Sequence, residues 1–145
     1  LKSNDQLSTI EEGNLIERFG EVDLVKVPVK RLDDYDFEDS VAFIKIDVEG
    51  HEISVLEGAV NLLERDHPSL LIEIEERHKA HSVAGVREFL KKFGYEGFFY
   101  LDDHLLRMDL FDIQKYQNFG AAKGRYIFNF IFVHPGKISR INHLL

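Results

Sequence analysis

Between positions 45 and 52 the chain sets Lys45, Asp47, Glu49, His51 and Glu52 directly after the apolar run at 41–44. A second apolar run, at 70–72, is followed by Glu73, Glu75 and Glu76. Carboxylates in such settings can take a proton, orient a hydroxyl or bind a hard cation. His51 is a further candidate base, since its ordinary pKa lies at about 6.5. The same residue types also serve as caps and solvated strand ends, and Glu52 in a first helical turn is favoured by the helix dipole alone. His78 and His81 follow two more acids at a spacing that fits no metal template. The seven histidines include no H-E-x-x-H pattern. Asn129 is an amide inside an otherwise apolar stretch; buried, it would need partners and could orient a loop or ligand.

The surrounding pattern says what must position these groups. Residues 41–48, VAFIKIDV, are expected to form a strand buried on both faces, and Gly50 a permissive turn. Ile53, Leu56, Val60 and Leu63 recur at spacings of three and four, which predicts one helix over 52–65 with Gly58 inside it at a close approach. Residues 69–75 form a second buried strand. Ser82 caps the next helix, whose apolar face is Val83, Val86, Phe89, Leu90 and Phe93, and Gly94 ends it. Strands follow at 95–101 and 126–135, with a short return strand at 104–108 and an irregular excursion over 109–125. Upstream, residues 24–29 alternate with period two and predict an edge strand interrupted by Pro28. Residues 31–40 predict a helical turn capped by Asp33 or Asp34, and residues 1–20 loop with a short helix.

Strands alternating with helices predict an α/β layer fold in one domain over residues 1–145, with a mostly parallel sheet and an antiparallel edge pair at its C-terminus. Ligands of such sheets bind outside the carboxyl ends of the strands. Asp47 and Glu49 lie at that end of one strand, and Glu73 and Glu75 at that end of the next. As parallel neighbours the two strands would bring these carboxylates to one edge.

The bulk numbers set bounds. A chain of 145 residues suits one sizeable core. A net charge of −8 argues against nucleic acid or an anionic membrane as the main partner. The absence of cysteine rules out disulfides and thiolate metal sites and fits a reducing, cytoplasmic location. No apolar run approaches the roughly 18 residues that span a bilayer. The first residue is Leu1 rather than Met, so the natural reading frame is expected to extend upstream.

FIKIDVEGHEISVLEGA, followed by PSLLIEIE, resembles the FkbM-type methyltransferase family. The pattern K-I-D-V-E-G-x-E is met by Lys45, Ile46, Asp47, Val48, Glu49, Gly50 and Glu52. The following V-L-x-G-A is met by Val55, Leu56, Gly58 and Ala59. Leu32, Asp33 and Asp34 match the family's upstream segment, and residues 129–132 its last strand. The resemblance implies a Rossmann-like fold, S-adenosylmethionine as cofactor and methyl transfer to a hydroxyl of a small-molecule, sugar or lipid-like acceptor. It implies that Asp47 orients the acceptor or the cofactor. Glu49 and Glu52 shape the site, one of them serving as base, and Glu75 is on the acceptor side; His51 stands where the family accepts other residues, and Asn129 is a substrate-binding candidate from its own setting. The family's glycine-rich cofactor turn is absent from these residues, so the chain resembles the carboxyl-terminal part of the domain. Two rivals stand beside this expectation: a divalent-metal enzyme using Asp47, Glu49 and Glu75, and a non-catalytic module that keeps the fold.

Overall fold

The computed structural model describes residues 26–118 and 125–140. Among them five strands form one sheet: β1 (Phe43–Ile46), β2 (Ser69–Glu73), β3 (Glu96–Leu101), β4 (His104–Arg107) and β5 (Asn129–Val133), in the order β1-β2-β5-β3-β4. The helices are α1 (Glu52–Glu57), α2 (Val60–Asp66), α3 (Ser82–Lys91) and the single turn α4 (Ile113–Tyr116). The α/β class holds, but the sheet is mixed. β1 and β2 pair in parallel, whereas β5 runs antiparallel to both β2 and β3, and β4 antiparallel to β3. The apolar strand expected at the edge, β5, is therefore central. Its Phe130 and Phe132 are fully buried, which suits a strand with a neighbour on each side.

One sheet face carries the main core. Ile46, Leu70, Ile72, Phe130, Phe132 and Phe99 pack there against Leu56 of α1, Leu63 of α2 and Val83, Val86 and Leu90 of α3. The other face holds a smaller cluster of Phe98, Leu105 and Val133 against Ile138, from the 3-10 turn Pro135–Arg140. β1 is an edge strand with Phe43 58% exposed, so the expected burial on both faces does not hold.

The helix expected over 52–65 is broken at Gly58 and Ala59. The break is filled by the 3-10 turn Leu32–Asp34. Asp33 N–H donates to Gly58 O at 2.9 Å, and the Asp33 carboxylate accepts from Asn61 and Leu62 N–H at 3.0 Å each. Asp33 thus ties the end of α1 to the start of α2 rather than capping its own turn, a capping role performed across the fold. A Cβ on Gly58 would stand 3.5 Å from the Arg31 backbone, which confirms the expected close approach. Ser82 does not cap α3. The cap is Glu76, whose carboxylate accepts from His81 and Val83 N–H at 2.6 and 3.0 Å.

Residues 26–29 form no strand, since Pro28 cannot donate to a ladder and Val27 and Val29 are exposed. Leu24 and Val25 lie outside the described residues, as does the stretch 1–20. The excursion over 109–125 contains α4 and the start of the approach to β5.

Candidate active site

The register of β1 on β2 pairs Ile46 with Ile72. The next residues, Asp47 and Glu73, come side by side just beyond that pair. Glu73 is in turn opposite Asn129 of β5. Asp47, Glu73 and Asn129 make one row across three strands, at the carboxyl end of β1 and β2.

After Ile46 the chain leaves the sheet in a tight turn. Glu49 has a φ of 44° and Gly50 one of 97°. Glycine adopts this conformation without a Cβ penalty, whereas Glu49 does so at about 1–2 kcal/mol. Backbone strain of this kind collects at functional sites. The turn is closed by Glu52, which is 2% exposed and accepts Gly50 N–H at 2.7 Å through Oε1. Strand β1 therefore stops before Glu49, and the turn rather than strand alternation places that carboxylate.

Asp47, Glu49, Glu52, Glu73, Glu75 and His78 line one shallow recess. Four of the sequence-derived candidates, Asp47, Glu49, Glu52 and Glu75, are thereby brought together. His51 stands ahead of α1 and is not in the lining. Asn129 is exposed as the first residue of β5, so its amide is solvated rather than buried among apolar groups.

The carboxylates are held differently. The Glu75 side chain is 4% exposed, with Oε1 on Arg77 Nη2 at 2.6 Å and near His78 Nε2 at 3.4 Å. Its Oε2 accepts the Tyr126 hydroxyl at 2.6 Å. Burial, and then this bond, push the Tyr126 hydroxyl up to about 12, so it stays a donor at neutral pH. Asp47 pairs with Lys45 at 2.6 Å, both half-exposed, and that hydrogen bond raises the lysine's proton affinity. Glu73 is half-buried, and no group among the described residues hydrogen-bonds its carboxylate. Its proton affinity is raised by burial first and then by the charges of Asp47 and Glu75.

Sequence patterns missed Gln117. It is buried in the excursion, donating to Ile74 O at 2.7 Å and Ile127 O at 2.9 Å and accepting Glu76 N–H at 2.9 Å. Tyr126 and Arg77 were missed too. No periodicity marks them: Tyr126 reaches Glu75 across 51 positions, and Arg77 reaches it from a turn two positions on. Among the described residues no three His, Asp or Glu side chains are grouped to hold a metal ion, and no helix is long and apolar enough to cross a membrane.

Residues 2–96 match the family model described as the methyltransferase FkbM domain. The chain belongs to that family. The FkbM match takes in β1, the strained turn, α1 and β2, and it ends as β3 begins, so Tyr126 and Asn129 lie beyond it. No curated protein and no solved structure matches the chain.

Proposed function

We propose that the protein is an S-adenosylmethionine-dependent methyltransferase of Rossmann-like fold that methylates a hydroxyl oxygen of a small-molecule, sugar or lipid-like acceptor. The observation that carries this is the convergence of the FkbM motif's Asp47, Glu49 and Glu52 with Glu73 and Glu75 in one recess, at the sheet edge where α/β folds bind ligands.

The lining fits the donor's cationic centre: five of its six residues are carboxylates and none is lysine or arginine. The recess is shallow and encloses no small molecule by itself, so these residues would meet the donor at its charged end only. Asp47 and Glu49 are the residues that would hold that end. S-adenosylmethionine supplies, when bound, an electrophilic methyl group. The chain's own contribution is alignment and charge. Asp47 orients the acceptor hydroxyl, Glu52 fixes the turn that carries Glu49, and Asn129 offers an amide on the acceptor side. Glu75, locked by Tyr126 and Arg77, gives the recess a wall that does not move.

A divalent-metal mechanism on Asp47, Glu49 and Glu75 is disfavoured by the engagement of both Glu75 oxygens within the protein. The protein, incubated with radiolabelled S-adenosylmethionine and a pool of monosaccharides, glycolipids and polyols, should label a hydroxyl at a rate that EDTA leaves unchanged. A calorimetric titration with no donor binding, together with no transfer to any member of the pool, would sink the proposal.

A further inference from the structure

We infer that Glu73 is the carboxylate that takes the acceptor's proton. This role rests on the methyl-transfer function proposed above and goes beyond the family motif, whose fixed acids lie between Asp47 and Glu52.

The case is geometric. A base must reach into the site, have its oxygens free, and hold a proton better than an ordinary carboxylate does. Glu75 fails the second condition, since Arg77 and Tyr126 occupy its two oxygens at 2.6 Å each. Glu52 is almost wholly buried and spends Oε1 on Gly50 N–H. Asp47 fails the second condition too, since its Oδ2 is engaged by Lys45 Nζ at 2.6 Å. Glu49 is exposed on the turn, where water solvates its charge. Glu73, in the middle of the Asp47–Glu73–Asn129 row, is the carboxylate of the lining that combines partial burial with no hydrogen-bond partner among the described residues. Two carboxylates beside a third make its ionisation costly, the arrangement that separates a proton-holding acid from its charged neighbours. Its raised proton affinity agrees with this placement. The groups facing it are Asp47 after β1, Lys45 on β1, Glu75 and Arg77 after β2, and Glu49, Glu52 and His78 across the recess. Lys45 and Arg77 are each bonded to another carboxylate and offset these charges in part.

In the step itself the acceptor oxygen forms its bond to the methyl carbon as the carbon–sulfur bond breaks. The electron pair of that bond stays on sulfur, which leaves as a neutral thioether. The hydroxyl proton passes to the Glu73 carboxylate and from there to water.

The test has two arms. Carboxyl-labelled protein is titrated by carbon-13 NMR between pH 3 and 9, with Glu73 assigned by the signal lost in Glu73→Gln. Glu73 should titrate above every other recess carboxyl, and its midpoint should fall in Asp47→Asn. In the second arm, transfer from radiolabelled S-adenosylmethionine to the monosaccharide and polyol pool is followed against pH. The wild-type rate should rise through the Glu73 midpoint. Glu73→Gln should lose roughly 10²–10⁴ in rate, a loss larger than any accompanying loss of donor affinity. A highest-titrating carboxyl at Asp47 or Glu75, or a wild-type rate profile in Glu73→Gln, would overturn the assignment. Absence of transfer by the wild type, with Glu73 still titrating highest, would instead overturn the methyl-transfer function and leave Glu73 as the recess's proton holder.

Discussion

Gln117 grips the chain on both sides of Glu75. Its amide donates to Ile74 O at 2.7 Å, and its carbonyl oxygen accepts Glu76 N–H at 2.9 Å. The same amide reaches Ile127 O at 2.9 Å, so one side chain sews the end of β2 to the approach to β5. Replacement by leucine fills the space but leaves these backbone groups without partners, each worth about 1–3 kcal/mol when buried. Gln117→Leu should therefore cost about 3 kcal/mol or more, a large fraction of the roughly 5–15 kcal/mol that holds a domain together. Urea denaturation followed by circular dichroism measures it. A loss below about 1 kcal/mol would show that water replaces the amide and that Gln117 is not what fixes Glu75.

Asp47 and Glu52 sit in one motif and should fail in opposite ways. The Asp47–Lys45 pair is half-exposed, and exposed pairs contribute about 0–1 kcal/mol. Asp47→Asn should leave the melting temperature almost unchanged while lowering the rate of the proposed methyl transfer about 10²-fold through lost alignment. Glu52 is buried with its oxygen on Gly50 N–H, so Glu52→Gln should lower the melting temperature by several degrees. Paired melting curves and transfer rates decide it. Near-normal turnover in Asp47→Asn with a lowered melting temperature would make the acids of KIDVEGHE structural.

The sequence made the local half of this site readable. A strand ending in alternate acids, a glycine turn and a three-four apolar spacing are nearest-neighbour signals, and they led to Asp47, Glu49, Glu52 and Glu75 in the recess. What it could not show were contacts made across the chain. Asp33 caps a helix 28 positions away, which cuts the expected helix in two. Tyr126 meets Glu75 over 51 positions. The central place of β5 was hidden for the same reason, because strand order is set by tertiary pairing and an apolar run reads alike at a centre and at a covered edge. His51 precedes α1 and is not among the residues that line the recess.

At the opposite end of the sheet, His134 packs on His67 with ring centroids 4.0 Å apart and the rings tilted by 39°, and Lys137 Nζ donates to Asp66 O and His67 O at 3.0 and 2.6 Å. Burial first, then the charges of His67 and Lys137, hold the His134 imidazole below its ordinary pKa. The folded state thus favours the neutral ring. Stability is complete above about pH 6.5, and it falls with pH below that as the unfolded chain takes up a proton the folded chain resists. The urea midpoint should drop between pH 7 and pH 5, and His134→Phe, which keeps a ring on His67, should shrink that drop. An unchanged drop in the variant would assign the effect to other histidines.

Glu73 is predicted to be a destabilising residue at neutral pH. Its folded-state proton affinity is raised above the ordinary glutamate value, by burial and by Asp47 and Glu75. The stabilising contribution of its protonated form is therefore full below the unfolded pKa, at about 4.3. It is lost as pH rises through the folded pKa, and above that the chain carries a carboxylate it would rather neutralise. Glu73→Gln removes the charge and keeps the shape. It should raise the urea midpoint at pH 7, and the gain should shrink toward zero as the pH falls well below about 4.3, where both states of the wild type are protonated. The same variant should lose most of its transfer rate, so stability and activity move in opposite directions, as expected for a group retained for chemistry rather than for folding. Midpoints measured at four or five pH values with both proteins settle it. A Glu73→Gln chain less stable than the wild type at pH 7 would mean that the carboxylate is satisfied in the fold, and Glu73 would then be an ordinary strand-end acid.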